Sequence, residues 1–262
     1  MLWLAGRAEV LVREPRIAIV GSRSPTPYGD AQARRFAYAL ATEGFVVVSG
    51  LARGIDQAAH LGALAAGGDT IGVLGSGVDR PWPDDEAVRA VRERGLLLSE
   101  HPPGQGPRRH HFPLRNRLIS GLSCAVLVVE AAHASGSLIT ARWAADQGRT
   151  VFALPGRVDH PMARGCLRLL REGATPVESP EQLLGDLFGP GSPASPSPPP
   201  PLSPILAALE GETRSADELA AHLARHLPEL LAELVQLELD GAVVRAPGGL
   251  YRLAAPGDVR RP

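Results

Sequence analysis

Up to about residue 188, short apolar runs alternate with longer stretches in which apolar positions recur every three or four residues. The runs Arg16–Val20, Phe45–Ser49, Thr70–Leu74, Leu96–Ser99, Ala125–Glu130 and Thr150–Leu154 are almost continuously apolar. That is the pattern of strands covered on both faces of a parallel sheet. Between the first two, Ala33, Phe36, Ala37, Leu40 and Ala41 fall on one face of a helix. The segments Ile55–Ala66, Asp84–Arg94, Pro113–Leu122 and Leu138–Gln147 carry a similar period. Such alternation predicts an α/β fold: a Rossmann-like, doubly wound, mostly parallel sheet.

The pattern breaks at 189–201, where Gly, Ser and Pro crowd out apolar residues. A run with so few backbone donors forms neither helix nor sheet and reads as a semi-rigid tether. Periodicity resumes at Leu202–Glu210, Ser215–Ala224 and Leu227–Leu239, with Ser215 and Glu218 spaced as a capping box. Ala242–Arg245, a Pro-Gly-Gly turn and Leu250–Leu253 then predict a hairpin. Three helices and a hairpin suggest a small C-terminal winged-helix domain over 202–254, behind a domain over 1–188. Acidic residues outnumber arginines over 205–245, which disfavours strong duplex binding and leaves a protein-interaction role open.

Composition narrows the chemistry. The 262 residues carry a net charge of −1, so any attraction for nucleic acid must be local. Every basic residue is arginine, which removes lysine Schiff-base chemistry and the P-loop lysine. Cys124 and Cys166 have no metal-type spacing. There is no signal peptide and no apolar stretch of membrane-spanning length, so a cytoplasmic protein without membrane contact is expected.

The most informative segment is Pro107–Arg117, where Arg108, Arg109, Arg115, Arg117 and two histidines surround Phe112. No carboxylate intervenes between Glu100 and Glu130. Arginines for phosphates, interleaved with a ring on which a base stacks, suit a single-stranded nucleic acid. The bland alternative is a solvated loop with Phe112 as a core anchor. Three strands also run into small-residue turns, Val20–Arg23, Ser49–Asp56 and Glu130–Thr140. In a parallel sheet these sit at the carboxyl edge, where ligands and anions bind.

Small-cofactor signatures fail on detail. Gly21 is followed by Ser-Arg-Ser-Pro rather than G-x-G-x-x-G, and Gly75-Ser-Gly77 lacks a third glycine. There is no G-x-S-x-G or H-E-x-x-H, so no catalytic residue is assigned. His101, His110 and His111 suit solvent or phosphate better than a metal. Asp56 and His60, four residues apart on one helix face, read as a structural hydrogen bond near the start of that helix. Glu100 and Glu130 could pair as acid and base, but no nucleophile accompanies them. Neither cofactor nor metal is expected.

In order, Ile17–Arg23, Tyr28-Gly29, Val48–Asp56, Ala59-His60, Gly75–Asp79, Leu98–Glu100, Phe112–Ser120, Val129–Ala131, Ser135–Thr140, Pro155-Gly156, Gly165-Cys166 and Glu172–Ala174 resemble the DNA-processing protein A family, DprA or Smf. Leu237–Ala242 and Gly248–Arg252 look like that family's winged-helix domain. The resemblance implies a non-enzymatic, homodimeric protein of natural transformation. Such a protein protects incoming single-stranded DNA and loads the recombinase RecA onto it. Carried over, the DNA-contacting residues are Gly21, Ser22, Arg23, Ser49, Gly50, Arg53, Arg109, Phe112, Arg115, Asn116 and Arg117, with Ser135, Gly136 and Ser137 on the same edge. Many members also carry an N-terminal helical domain, whereas Met1 here stands shortly before the first predicted strand. The rival reading is a Rossmann-like nucleotide-processing enzyme of the phosphoribohydrolase type. Those enzymes use a Pro-Gly-Gly motif, where this chain has Pro155-Gly156 followed by Arg157.

Overall fold

The computed structural model describes residues 1–189, 204–209, 212–239, 242–246 and 248–254. The expected tether, apart from Gly189, lies outside the described residues, as do Leu202, Glu210 and the proline of the Pro-Gly-Gly turn. The chain divides into two compact units, one built on an eight-stranded sheet and one on a three-stranded sheet.

In the larger unit, β1 (Trp3–Gly6), β2 (Arg16–Val20), β3 (Val46–Ser49), β4 (Thr70–Val73), β5 (Leu96–Ser99), β6 (Ala125–Val128), β7 (Thr150–Ala153) and β8 (Thr175–Pro176) form the sheet. Its order is β1-β5-β4-β3-β2-β6-β7-β8. All neighbours pair in parallel except β1, which runs antiparallel to β5 with Trp3 opposite Ser99. The two edge strands escape the sequence pattern for different reasons. Strand β1 is half-exposed at alternate residues, and β8 is two residues long and ends in proline, a residue confined to sheet edges.

Seven helices cover the sheet: α1 (Pro27–Thr42), α2 (Ile55–Ala65), α3 (Glu86–Arg94), α4 (His111–Gly121), α5 (Ser137–Asp146), α6 (Arg164–Arg171) and α7 (Pro180–Phe188). Alternation along β2 shows the two layers. Ile17 and Ile19 join Phe36, Leu40, Ala58 and Leu183 in one core. Ala18 and Val20 join Ile119, Leu138, Ala144 and Leu169 in the other. Burial on both faces explains why the strands read as unbroken apolar runs. After β2 the chain moves outward through β3, β4 and β5, then returns to place β6 on β2's other side. The crevice at the carboxyl ends of β2 and β6 is therefore the topological switch point.

The smaller unit holds α8 (Pro204–Ala208), β9 (Arg214–Ser215), α9 (Ala216–His222), α10 (Leu227–Leu239), β10 (Val243–Ala246) and β11 (Leu250–Leu253). Ser215 caps α9 and Glu218 returns the bond, completing the capping box. Ile205, Leu219, Leu230, Leu234, Val243 and Tyr251 form its core. Three helices backed by the β10–β11 hairpin make it a winged helix.

Candidate nucleic-acid interface

The turns after β2 and β6 meet at the switch point. They line an open pocket of about 530 Å³ together with the start of α4 and Met162. Gly21–Ser24 form one wall and Ala132, Ala134 and Ser135–Ser137 another, with Phe112, Pro113, Arg115, Asn116 and Ile119 between them.

Helix α4 starts at His111, two residues before the sequence pattern suggested. Proline is tolerated in a first turn, where its missing N–H has no intrahelical partner, so Pro113 does not mark the boundary. The earlier start puts Phe112 on the helix. Its ring is half-buried near Gly75 at the end of β4 and 6.0 Å from the Arg23 guanidinium carbon.

Arg115 is where the structure departs most from the picture of a solvated arginine segment. Residues 111, 115 and 119 share the inward face of α4, and all three are buried. Arg115 Nη2 donates to the Gly50 carbonyl at 2.6 Å, while Nε and Nη1 find no partner among the described residues. Burial lowers the Arg115 pKa to about 10, against the through-space attraction of Asp56 and with added repulsion from Arg23. The guanidinium still carries its charge at neutral pH. It lies so close to Gly50 that an added Cβ there would fall 1.5 Å from Nη1, so only glycine fits beneath it.

Asp56 completes this floor. It is buried, and its carboxylate accepts the N–H groups of Gly50 at 3.2 Å and Ala52 at 3.4 Å. Burial raises its pKa, while Arg115 and these bonds oppose the rise. His60, one turn along α2, bonds Thr70 at 2.6 Å. The Thr70 hydroxyl donates to the Val47 carbonyl, so it accepts from His60 Nδ1. Burial, and then Arg115, lower the His60 pKa to about 3. Both residues thus hold the fold, through different partners.

The remaining predicted residues separate by role. Ser49 is fully buried and donates to the Ile19 carbonyl at 2.6 Å. The Ser22 amide donates to the Glu130 carbonyl, and its hydroxyl meets Met162 sulfur at 3.4 Å. Ser22's own N–H is thus committed inside the fold. The Ser22 carbonyl accepts Ile55 N–H, which ties the β2 turn to α2. Gly54, with φ +88°, permits this approach, since a Cβ there would lie 2.5 Å from that carbonyl. Arg23 is exposed at the mouth. Arg53 and Arg109 are also exposed but do not line the pocket. Arg117 turns to Glu100, with which it pairs. Asn116 donates to Gly136 at 3.3 Å, and Ser135 and Ser137 share a hydroxyl bond at 2.8 Å. Glu130, at the end of β6, packs against Gly29. Glu100 and Glu130 therefore stand at strands with three others between them and form no acid–base pair.

Sequence reasoning missed Asp56 as part of the floor, and it missed Met162 and Thr140 as lining residues. Asp56 had a signal, because it lies two residues from a glycine at a strand-to-helix turn. Met162 had none, since it arrives from a short 3₁₀ turn distant in sequence. Among the described residues no group of His, Cys, Asp or Glu is placed to hold a metal. No helix among them is long and apolar enough to cross a membrane.

The model of the DNA recombination-mediator protein A family matches residues 1–188, and that of the DprA winged helix domain matches residues 189–249. The Smf protein of Escherichia coli is 42% identical over 261 residues, covering 94% of this chain and 70% of that protein. The X-ray structure of DNA processing protein A from Streptococcus pneumoniae superposes with a TM-score of 0.67 at 42% identity, over 71% of this chain and 65% of that one. The Helicobacter pylori protein, described for its single-stranded DNA binding mode, superposes at 0.66 with 32% identity, over 71% of this chain and 86% of that one. With a core and a tail that both match, and an E. coli relative 42% identical across 94% of this chain, the chain belongs to the DNA processing protein A family.

Proposed function

We propose that this chain binds single-stranded DNA along the carboxyl edge of its large sheet, as a non-enzymatic mediator of DNA processing. The observation that carries the reading is the pocket at the switch point. Beneath it lies a buried arginine with two unsatisfied nitrogens, and at its mouth stand an exposed arginine and a half-buried phenyl ring. A phosphate entering there meets a charge that no hydrogen-bonded carboxylate neutralises, and a neighbouring base finds a ring to stack on. The H. pylori relative's binding mode supports the choice of a single strand.

The physiological reading rests on the family. The protein protects incoming strands during natural transformation and loads RecA onto them, acting in the cytoplasm as a homodimer. The leucines Leu169 of α6 and Leu183 and Leu184 of α7 are buried within the unit itself and are not available to a second copy. Val12, Trp82, Leu114, Val158 and Phe188 are among the apolar side chains exposed on this unit and available to a second copy.

A mobility-shift assay with single-stranded, duplex and mononucleotide competitors tests the central claim. The labelled strand should be displaced by unlabelled single strands and poorly by duplex. Efficient displacement by a mononucleotide, with hydrolysis of it, would favour the phosphoribohydrolase-like enzyme instead. Residues 1–188 alone should keep most of the affinity, since every proposed contact precedes the tether. A folded fragment that fails to bind would remove the site from the sheet edge.

A further inference from the structure

We propose that the solvent face of α10 is a docking surface for an amphipathic helix of another protein, one whose apolar stripe is bordered by lysine or arginine. Helix α10 buries Leu230 and Leu234 in the small core. On its other side Pro228, Leu231, Ala232 and Val235 are exposed at positions i, i+3, i+4 and i+7, which form one stripe. Leu231 is 36% exposed and Val235 is 53% exposed. They are the exposed large apolar side chains among the described residues of this unit. Glu229 and Glu238 lie exposed near the two ends of the stripe and form no ion pair among the described residues. Glu233, by contrast, pairs with Arg225 at 2.6 Å. No basic residue occurs in the helix.

Charge decides among the occupants. In helix-turn-helix proteins a helix of this kind enters the major groove, but the duplex carries a negative charge about every 1.7 Å and repels a face whose only charges are carboxylates. A second copy fits no better. Pairing two α10 faces in either direction brings the exposed Glu229 and Glu238 of both copies to one seam, with no cation from either helix to offset them. A helix with an apolar stripe and basic borders answers both features, in the helix-to-groove manner of peptide recognition. The proposal does not depend on the proposed single-strand site.

The test uses the full chain and two fluorescent helical peptides of about four turns. One carries a leucine stripe bordered by lysines, and the other has glutamates in place of the lysines. The lysine peptide should bind about tenfold or more tightly than the glutamate peptide. Val235→Glu should abolish its binding, and Val235→Ser should weaken it, with circular dichroism unchanged in both. Glu229→Gln combined with Glu238→Gln should weaken binding and flatten its salt dependence. Single-stranded DNA affinity should be the same in all variants. Absent or equal binding of the two peptides, or indifference to Val235→Glu, would overturn the proposal. So would a duplex-DNA complex that Val235→Glu destroys.

Discussion

The floor and the mouth of the switch-point pocket both hold arginine, and the same side chain does different work in each. At the floor, Arg115 is enclosed, bonded to the Gly50 carbonyl and balanced through space by Asp56. At the mouth, Arg23 is exposed beside Phe112. A charge in a low-dielectric site acts strongly and cannot relax, whereas an exposed one is screened and replaceable. On the proposed reading the floor couples binding to stability, and the mouth should adjust affinity without touching the fold.

Removing the floor arginine offers the sharpest break. Arg115→Ala leaves Asp56 buried without its compensating charge, a loss on the order of 3 kcal/mol. At roughly 2–4 °C per kcal/mol for a domain of this size, the melting temperature should fall by about 6–12 °C. Gly50→Ala should give a similar loss by displacing the guanidinium. Because the two changes disrupt one contact, the double variant should be little worse than either alone. Additive losses in thermal melts would show the two residues to be independent.

Acid should find the same region. His60 is held neutral, with its pKa lowered to about 3 from an ordinary 6.5. The unfolded chain takes up a proton below pH 6.5 that the folded chain refuses. Stability is therefore present above pH 6.5 and lost as pH falls from there towards 3. His60→Gln should flatten that decline in denaturant titrations at several pH values. An unchanged slope would assign the acid sensitivity elsewhere.

At the mouth the effects shrink and move from stability to affinity. Phe112→Ala should weaken single-strand binding by about 1–3 kcal/mol, the range for base stacking, and leave the salt dependence nearly unchanged. A lowered melting temperature without a binding defect would make the ring a core anchor instead. Arg23→Ala should flatten the slope of log affinity against log salt by about 0.7, the contribution of one phosphate contact on a single strand. If Arg23→Ala leaves that slope intact, the residue does not neutralise phosphate.

How much of this was legible depended on the range of the signal. The six inner strands could be placed because most of their residues are covered on both faces and so are apolar, although β7 opens on the exposed Thr150. Strand β1 could not, since an edge strand has only half a pattern. The capping box at Ser215 and Glu218 was readable because its partners lie three residues apart. The chemistry of Pro107–Arg117 was visible as a cluster of arginines around one ring, but its division was not. Arg115 and Arg117 look alike in one dimension, and the face of α4 on which each falls decides which of them is buried.

By itself, then, the sequence determined the parallel α/β core, the winged-helix tail and the glycine turns at the carboxyl edge, because periodicity and turn chemistry are local. The tertiary structure alone decided that the turns after β2 and β6 meet, that Gly50 lies beneath Arg115, and that Asp56 shares the floor. Those facts follow from strand order and helix rotation, which bring together residues 65 positions apart. No local spacing encodes such a contact. It arises when two covered faces of one sheet fix where the ends of its strands must lie.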